Sequence, residues 1–303
     1  MKGSTLKGST TAIRGIVPPI VTPFTETGGV DLDLLRLDLD ALTEAGVHGV
    51  AVCGSTGEGH TLTPAEAQQV TRTAVEHVAG AMPVIAGVIA DSTQAAIERG
   101  KLVADLGVAA LQVTPVHYLF RPSDAGTIDF FGTLGEGAGL DVLIYNVIPW
   151  AYLSPNLLAR VIRGVPQVVG VKQSAEDMKA LADLLLILGD DGIVMSAVDA
   201  LLYPSFALGA HGAIAAILSA APSLCVQLWD AARAGENAEA KRLHEALLPL
   251  WNAISDDNLP ANVKTAMRMQ GRNGGCPRAP MQASTSAQQA AIRNALEGAR
   301  LLP

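Results

Sequence analysis

Lys172 closes the run Gln167-Val168-Val169-Gly170-Val171-Lys172, in which apolar or tiny residues lead up to an ammonium group. Desolvation at the end of such a run weakens a lysine's hold on its proton. A lysine neutral near pH 7 is a nucleophile able to form a Schiff base with a carbonyl. The same residue also fits a plain role, with its stem on apolar surface and its head in water or against an acid. A second stretch, Cys53-Gly54-Ser55-Thr56-Gly57-Glu58-Gly59, sets two hydroxyl residues among glycines. Glycine lets backbone approach a ligand closely, and successive N–H groups beside hydroxyls form a nest for a carboxylate or phosphate. No lysine follows the second glycine, so this is not a Walker loop; taken alone it is equally a Gly-rich turn. Tyr145 is the third candidate. It ends an apolar run, where a phenol can relay protons or simply cap a core.

These residues need a scaffold that brings them together, and the chain has the outline of one. Apolar runs occur at 15–21, 46–53, 82–88, 109–114, 141–146, 168–172, 192–196 and 212–217. Strands buried on both faces read as such continuous stretches. Between them lie segments of helical period with start signals. Asp31 opens 32–45, Thr63-Pro64-Ala65-Glu66 opens the next, and Asp91-Ser92-Thr93 caps 94–106. Ser123-Asp124 precedes a helix to Gly137, Ser154-Pro155 starts 156–163, and Ser174 or Ala175 opens a helix to Leu188. The span 199–208 is the seventh helix and Pro222 opens the eighth. Eight strand–helix units in strict alternation outline an α/β fold, the (β/α)8 TIM barrel. The expected organisation is a polar tail over 1–14, a catalytic barrel over 15–233 and a C-terminal helical appendage over 234–303. That appendage comprises helices at 237–254, 260–270 and 286–301, with a Gly/Pro-rich loop at 271–280.

In such a barrel the chemistry comes from the C-terminal ends of the strands and the loops after them. The rule selects Thr22-Pro23-Phe24, the 53–59 loop, Thr114-Pro115-Val116-His117-Tyr118, Tyr145-Asn146-Val147, Lys172, Ser196 with Asp199, and 213–216. A carboxylate nest, a phenol and an apolar-flanked lysine on one face read as a site for a 2-oxo acid.

The bulk composition excludes other classes. Of 303 residues, 17% are charged and the net charge is −8, which carries no nucleic-acid footprint. Lys and Arg nowhere cluster, so an anionic membrane surface is not an expected partner. Cys53, Cys225 and Cys276 are odd in number and far apart, against a disulfide framework or a Cys-based zinc site. The six histidines form no H-x-x-x-H or H-E-x-x-H pair, so no metal is expected. The first residues lack an apolar secretory core, no stretch reaches membrane-span length, and the expected location is the cytoplasm.

The ordered set Thr22-Pro23-Phe24, Gly54-Ser55-Thr56-Gly57-Glu58, Val113-Thr114-Pro115, Tyr145-Asn146-Val147, Gly170-Val171-Lys172 and Gly209-Ala210-His211-Gly212-Ala213-Ile214 resembles the dihydrodipicolinate synthase / N-acetylneuraminate lyase family of pyruvate-dependent class I aldolases. The resemblance runs from about Gly15 to Leu302. It implies a barrel with C-terminal helices, no metal or organic cofactor, and a homotetramer arranged as a dimer of dimers. It implies that Lys172 forms an imine with pyruvate or a related 2-oxo acid, whose enamine then meets an aldehyde. Ser55, Thr56 and Gly57 would hold the carboxylate, with Ile214 and Trp150 also lining the substrate site. Tyr145 and Thr56 would move protons. A second tyrosine, contributed across a subunit interface, falls in 115–122, where Tyr118 is the match and His117 its competitor.

One departure concerns the second substrate. Dihydrodipicolinate synthases carry an arginine shortly after the tyrosine, for the carboxylate of aspartate semialdehyde. Here Trp150 and Tyr152 occupy that stretch and no arginine comes before Arg160. An aromatic wall cannot make a bidentate carboxylate contact. The expected activity is therefore an aldolase or lyase acting on another aldehyde. The alternatives are dihydrodipicolinate synthase itself (with Arg121 supplying the charge and Trp150 packing an interface), a sugar-acid dehydratase, and a non-catalytic 2-oxo-acid sensor.

Overall fold

A computed structural model describes residues 13–174 and 177–302 of the protein. The expected tail therefore lies outside the described residues up to residue 12, as does Ala175. Strands and helices alternate: β1 (Gly15–Ile16), α1 (Leu32–Glu44), β2 (Val50–Val52), α2 (Pro64–Val78), β3 (Val84–Val88), α3 (Thr93–Lys101), β4 (Ala110–Val113), α4 (Asp124–Ala138), β5 (Val142–Asn146), α5 (Pro155–Gly164), β6 (Val168–Gln173), α6 (Met178–Leu188), β7 (Ile193–Ser196), α7 (Leu202–Ala207) and β8 (Gly212–Ala213). The strands form one parallel sheet in the order β1-β8-β7-β6-β5-β4-β3-β2. Its two ends meet where Ile20 N donates to Ala51 O and Ala51 N to Pro18 O, both at 2.9 Å. The sheet curls into the expected barrel. β1 is shorter than its apolar run because Pro18 and Pro19 have no N–H to give a ladder.

The helices start where the side-chain chemistry demands. Asp31, Thr63, Ser92, Ser123 and Ser154 each accept from backbone N–H groups of the first turn. Thr63 and Glu66 complete a reciprocal capping box. Three boundaries of the barrel helices differ from the sequence expectation, and the last C-terminal helix ends at Gly298 instead of 301. Helix α6 begins at Met178 under an Asp177 cap, not at Ser174, whose N–H remains with the sheet through Asn146 O. The third helix stops at Lys101, where Leu102 N–H turns to both Glu98 O and Gly100 O, and a 3₁₀ turn (Ala104–Leu106) follows. The seventh opens as a 3₁₀ turn (Asp199–Leu201), because the Asp199 carboxylate is engaged by Ile217 N at 2.8 Å.

After β8 come α8 (Ile217–Ala220), α9 (Pro222–Ala234), α10 (Asn237–Ile254), α11 (Leu259–Met269) and α12 (Ser286–Gly298). Helix α10 packs on α9 and α12, and α11 on α8 and α12. Nearly every side chain of α11 is buried, including that of Lys264.

Strand periodicity splits the apolar core in two. Val17, Ala51, Ile85, Ala110, Leu143, Met195 and Ile214 fill the barrel interior. Alternate residues such as Val52, Leu111, Val113, Ile144, Val171 and Val194 face the helices. Between β5 and β6 the pairing skips a residue: Val142 pairs with Val168, but Leu143 pairs with Gly170. This bulge at Val169 sets the register that pairs Tyr145 with Lys172. It also presses Gly170 against β7, where an added Cβ would lie 2.2 Å from Ile193 O.

Gly170→Ala is accordingly expected to lose at least about 3 kcal/mol, since the obstacle is backbone rather than a flexible side chain. Gly164→Ala, at the open end of α5 with nothing near its Cβ position, should be neutral or gain about 0.5–1 kcal/mol. Thermal melts of the two variants check the pair.

Candidate active site

Lys172 and Tyr145 are Cα partners at the ends of β6 and β5, and both are buried. Lys172 Nζ stands 4.2 Å from the centroid of the Tyr145 ring. The Tyr145 hydroxyl donates to Ser55 Oγ at 3.0 Å. Lysine, phenol and hydroxyl loop thus form a contiguous chain at the C-terminal mouth of the barrel. Thr56 is buried beside the exposed Ser55. Gly57 is pinned, its carbonyl accepting from Thr22 Oγ1 at 2.6 Å, and a Cβ on it would meet Ile20 O at 2.8 Å. Ile214 belongs to the interior core below. Asp199 carries a carboxyl pushed up to about 6 by burial, opposed by the Ile217 N–H and by the charge of Lys172.

The hydroxyl loop is held in a conformation that side chains resist. Cys53 and Glu58 both sit in the left-handed region, with φ of 58° and 52°. Such residues persist only where surroundings over-determine them; Cys53 lies against Ala67 and Thr71 of α2, and Glu58 is held by the C-terminal part of the chain. Glu58 and Lys264 are 0% and 1% exposed and meet at 2.6 Å. Lys264 Nζ also donates to Thr22 O and Cys276 O, while the other Glu58 oxygen accepts from Arg278 N. The Arg278 guanidinium donates to Gly28 O, Thr61 O and both oxygens of Glu66, and stacks over Phe24 at 4.2 Å. Burial pushes the Lys264 ammonium down against the opposing charge of Glu58. The hydrogen bond from Arg278 holds Glu66 down at about 2. Sequence reasoning missed this network. Its one local signal is a lysine set among the apolar neighbours Val263, Ala266 and Met267.

The remaining expected site residues lie at the rim. Tyr118 and Trp150 are 68% and 71% exposed. His117 N and Tyr118 N both donate to Asp91 Oδ1, and Leu119 follows in the left-handed region at φ 66°. Trp150 Nε1 donates to His117 O at 3.2 Å, tying the two segments together, and the Tyr152 hydroxyl donates to Ser174 O. Within this chain neither Tyr118 nor Trp150 joins the Lys172–Tyr145–Ser55 contacts. A cavity lined by Cys53, Gln68, Thr71 and Arg99 lies outside the barrel wall and is separate from the site. Burial pushes the Cys53 thiol up to about 12, so it stays protonated. Among the described residues no group of three or more His, Cys, Asp or Glu could hold a metal ion, and no helix is long and apolar enough to cross a membrane.

Comparison with known proteins finds a model of the dihydrodipicolinate synthetase family matching residues 12–299. A 4-hydroxy-tetrahydrodipicolinate synthase of Methanopyrus kandleri is 33% identical, covering 96% of this chain and 98% of its own. One from Maridesulfovibrio salexigens is also 33% identical, over 95% and 99%. Among solved structures, a chloride-inhibited dihydrodipicolinate synthase of Acinetobacter baumannii complexed with pyruvate has a TM-score of 0.91 at 29% identity, over 96% and 100% of the two chains. The Escherichia coli K12 prophage protein YagE, also in complex with pyruvate, has a TM-score of 0.90 at 26% identity, over 95% and 99%.

Removing one member of the buried pair strands the other charge. Lys264→Met is expected to cost about 3–5 kcal/mol, with part recovered in the double variant Glu58→Gln/Lys264→Met; denaturant unfolding measures both. For Glu66 the folded pKa lies below its usual 4.5, so its contribution is complete above 4.5 and is lost as pH falls towards 2. Melts through that window should show a shallower loss for Glu66→Gln than for the natural chain.

Proposed function

The chain belongs to the dihydrodipicolinate synthetase family, and on that footing we propose that it is a class I, Schiff-base lyase joining or cleaving a 2-oxo acid such as pyruvate and an aldehyde. The observation that carries the reading is the contact chain from Lys172 through the Tyr145 ring to Ser55. Lys172 Nζ attacks the 2-oxo carbon, and the resulting carbinolamine loses its hydroxyl as water with a proton from Tyr145. The protonated imine draws electrons from C3, which gives up a proton to leave an enamine. The enamine's C3 attacks the aldehyde carbon, the new alkoxide takes a proton, and water returns the lysine. Cleavage is the reverse. Ser55 and Thr56 with the N–H of Gly57 hold the carboxylate, Thr56 also joins the proton relay, and Ile214 bounds the site with an apolar surface.

The reading extends to the assembly and the second substrate. Tyr118, exposed in one copy, is assigned the second-tyrosine role at a neighbouring copy's site within a homotetramer, a dimer of dimers. Free Cys53, Cys225 and Cys276 fit the reducing cytoplasm. No cofactor is assigned, since the imine itself is the electron sink. Trp150 stands where an arginine would clamp a second carboxylate, which favours an apolar, ring-bearing or sugar-like aldehyde over aspartate semialdehyde. The competing reading, 4-hydroxy-tetrahydrodipicolinate synthase, is supported by the names of the relatives that are about a third identical. A sugar-acid dehydratase would use the same imine, and a 2-oxo-acid sensor would bind without turnover.

Borohydride added with pyruvate is expected to fix a mass adduct on Lys172 and none on Lys172→Ala; an adduct surviving in that variant would falsify the assignment. Tyr145→Phe should lower kcat by about 10²–10⁴-fold. In a panel of aldehydes with pyruvate consumption or release as readout, aspartate semialdehyde should rank low. A high turnover with it would restore the synthase reading.

A further inference from the structure

Strand β4 contributes a residue to the mouth of the barrel that neither the relay nor the hydroxyl loop uses. Ala110 belongs to the interior core, and Leu111 and Val113 face the helices. Alternation therefore turns Gln112 inward, where it is fully buried. Neither Nε2 nor Oε1 of its carboxamide has a hydrogen-bond partner among the described residues. A buried amide left unpaired is destabilising, and a leucine there would avoid that cost.

The amide also points to a definite place. Gly54, which opens the hydroxyl loop, would take a Cβ without a clash, in ordinary contact at 3.5 Å from Gln112 Nε2 and 4.0 Å from the Tyr145 hydroxyl. Among the described residues no other heavy atom beyond the glycine's own neighbours comes within 4 Å of it. The neighbouring glycines contrast with it: a Cβ on Gly57, Gly59 or Gly87 would strike backbone at 2.8, 1.9 or 2.4 Å. Beside Gly54 there is thus a niche the size of a single carbon, bounded by an unpaired amide and by the phenol that contacts Ser55. Gly54 itself has no positive φ, so the absence of a side chain there keeps space rather than relieving backbone strain.

We infer that Gln112 is a substrate-binding residue whose Nε2–H donates to a carboxylate oxygen of the 2-oxo acid seated in this niche. The inference rests on the imine reading above and deepens it. A carboxylate only accepts, so it takes the amide N–H, and a hydrogen bond to an ionised group is stronger than one between neutral groups. Gln112 would therefore discriminate 2-oxo acids from carbonyl compounds that lack the carboxylate.

The test is borohydride trapping on Lys172, followed by mass spectrometry, across a concentration series of pyruvate and separately of hydroxyacetone. In Gln112→Leu the half-saturating pyruvate concentration should rise about tenfold or more while that for hydroxyacetone stays within about twofold. The melting temperature should hold or rise, because an unpaired amide has been replaced by an apolar group of similar size. Gln112→Glu, which opposes a second negative charge to the carboxylate, should raise the half-saturating pyruvate concentration further than Gln112→Leu does. Gly54→Ala, sterically admissible, fills the niche and should also weaken pyruvate; it keeps the inference testable if Gln112→Leu does not fold. A natural chain that traps pyruvate, with variants whose pyruvate half-saturation is unshifted or whose two substrates weaken equally, overturns the role of Gln112 alone. A natural chain that traps no pyruvate overturns the imine reading and this inference with it.

Discussion

The ammonium of Lys264 and the carboxylate of Glu58 meet at 2.6 Å where water does not reach. Two charges so far from solvent are tolerated only together, since either alone would be left with its full desolvation penalty. That requirement connects residues 206 positions apart. It binds the last third of the chain to the loop after β2, and the backbone carbonyls of Thr22 and Cys276 share the same ammonium. It holds the left-handed turn at Glu58, next to the Gly57 that Thr22 pins. The C-terminal helices are therefore part of what shapes the reacting face.

On the opposite side of the mouth the constraint is one of register. The bulge at Val169 brings Lys172 level with Tyr145, and Gly170 lets β6 and β7 close up beneath the lysine. The phenol then spans from the lysine to the hydroxyl loop. Two independently anchored parts, one held by an ion pair and one by strand pairing, converge on a single point. This suits a reaction in which a carboxylate must be fixed while an adjacent carbonyl carbon meets an amine.

Much of this was legible in the chain itself, for a physical reason. Parallel strands buried on both faces write themselves as uninterrupted apolar runs, and Ser, Thr and Asp caps mark the helix starts. The barrel rule then assigns strand ends such as Tyr145 and Lys172 to one face without any knowledge of distances. Contacts fixed only in three dimensions were not legible. Glu58 reads as a loop acid and Lys264 as a helix surface residue until the fold buries both. Gln112 is a single polar residue in an apolar strand; its parity can be read, but the reach of its amide towards Gly54 cannot. Helix α6 starts after Asp177 and not at Ser174 because the Ser174 N–H stays in the sheet with Asn146 O, a pairing the local sequence does not encode. Trp150 and Tyr118 lie on an exposed rim, where neither burial nor strand parity marks a role.

In the proposed reaction Lys172 bonds covalently to the substrate while the hydroxyl loop and Gln112 receive its carboxylate. A crystal of the natural chain soaked in pyruvate addresses all of this at once. Continuous density from Lys172 Nζ to the 2-oxo carbon is expected, with the carboxylate against Ser55 and Thr56 and within hydrogen-bond distance of Gln112 Nε2. Pyruvate bound elsewhere, or a Lys172 side chain left free beside an occupied site, would contradict it.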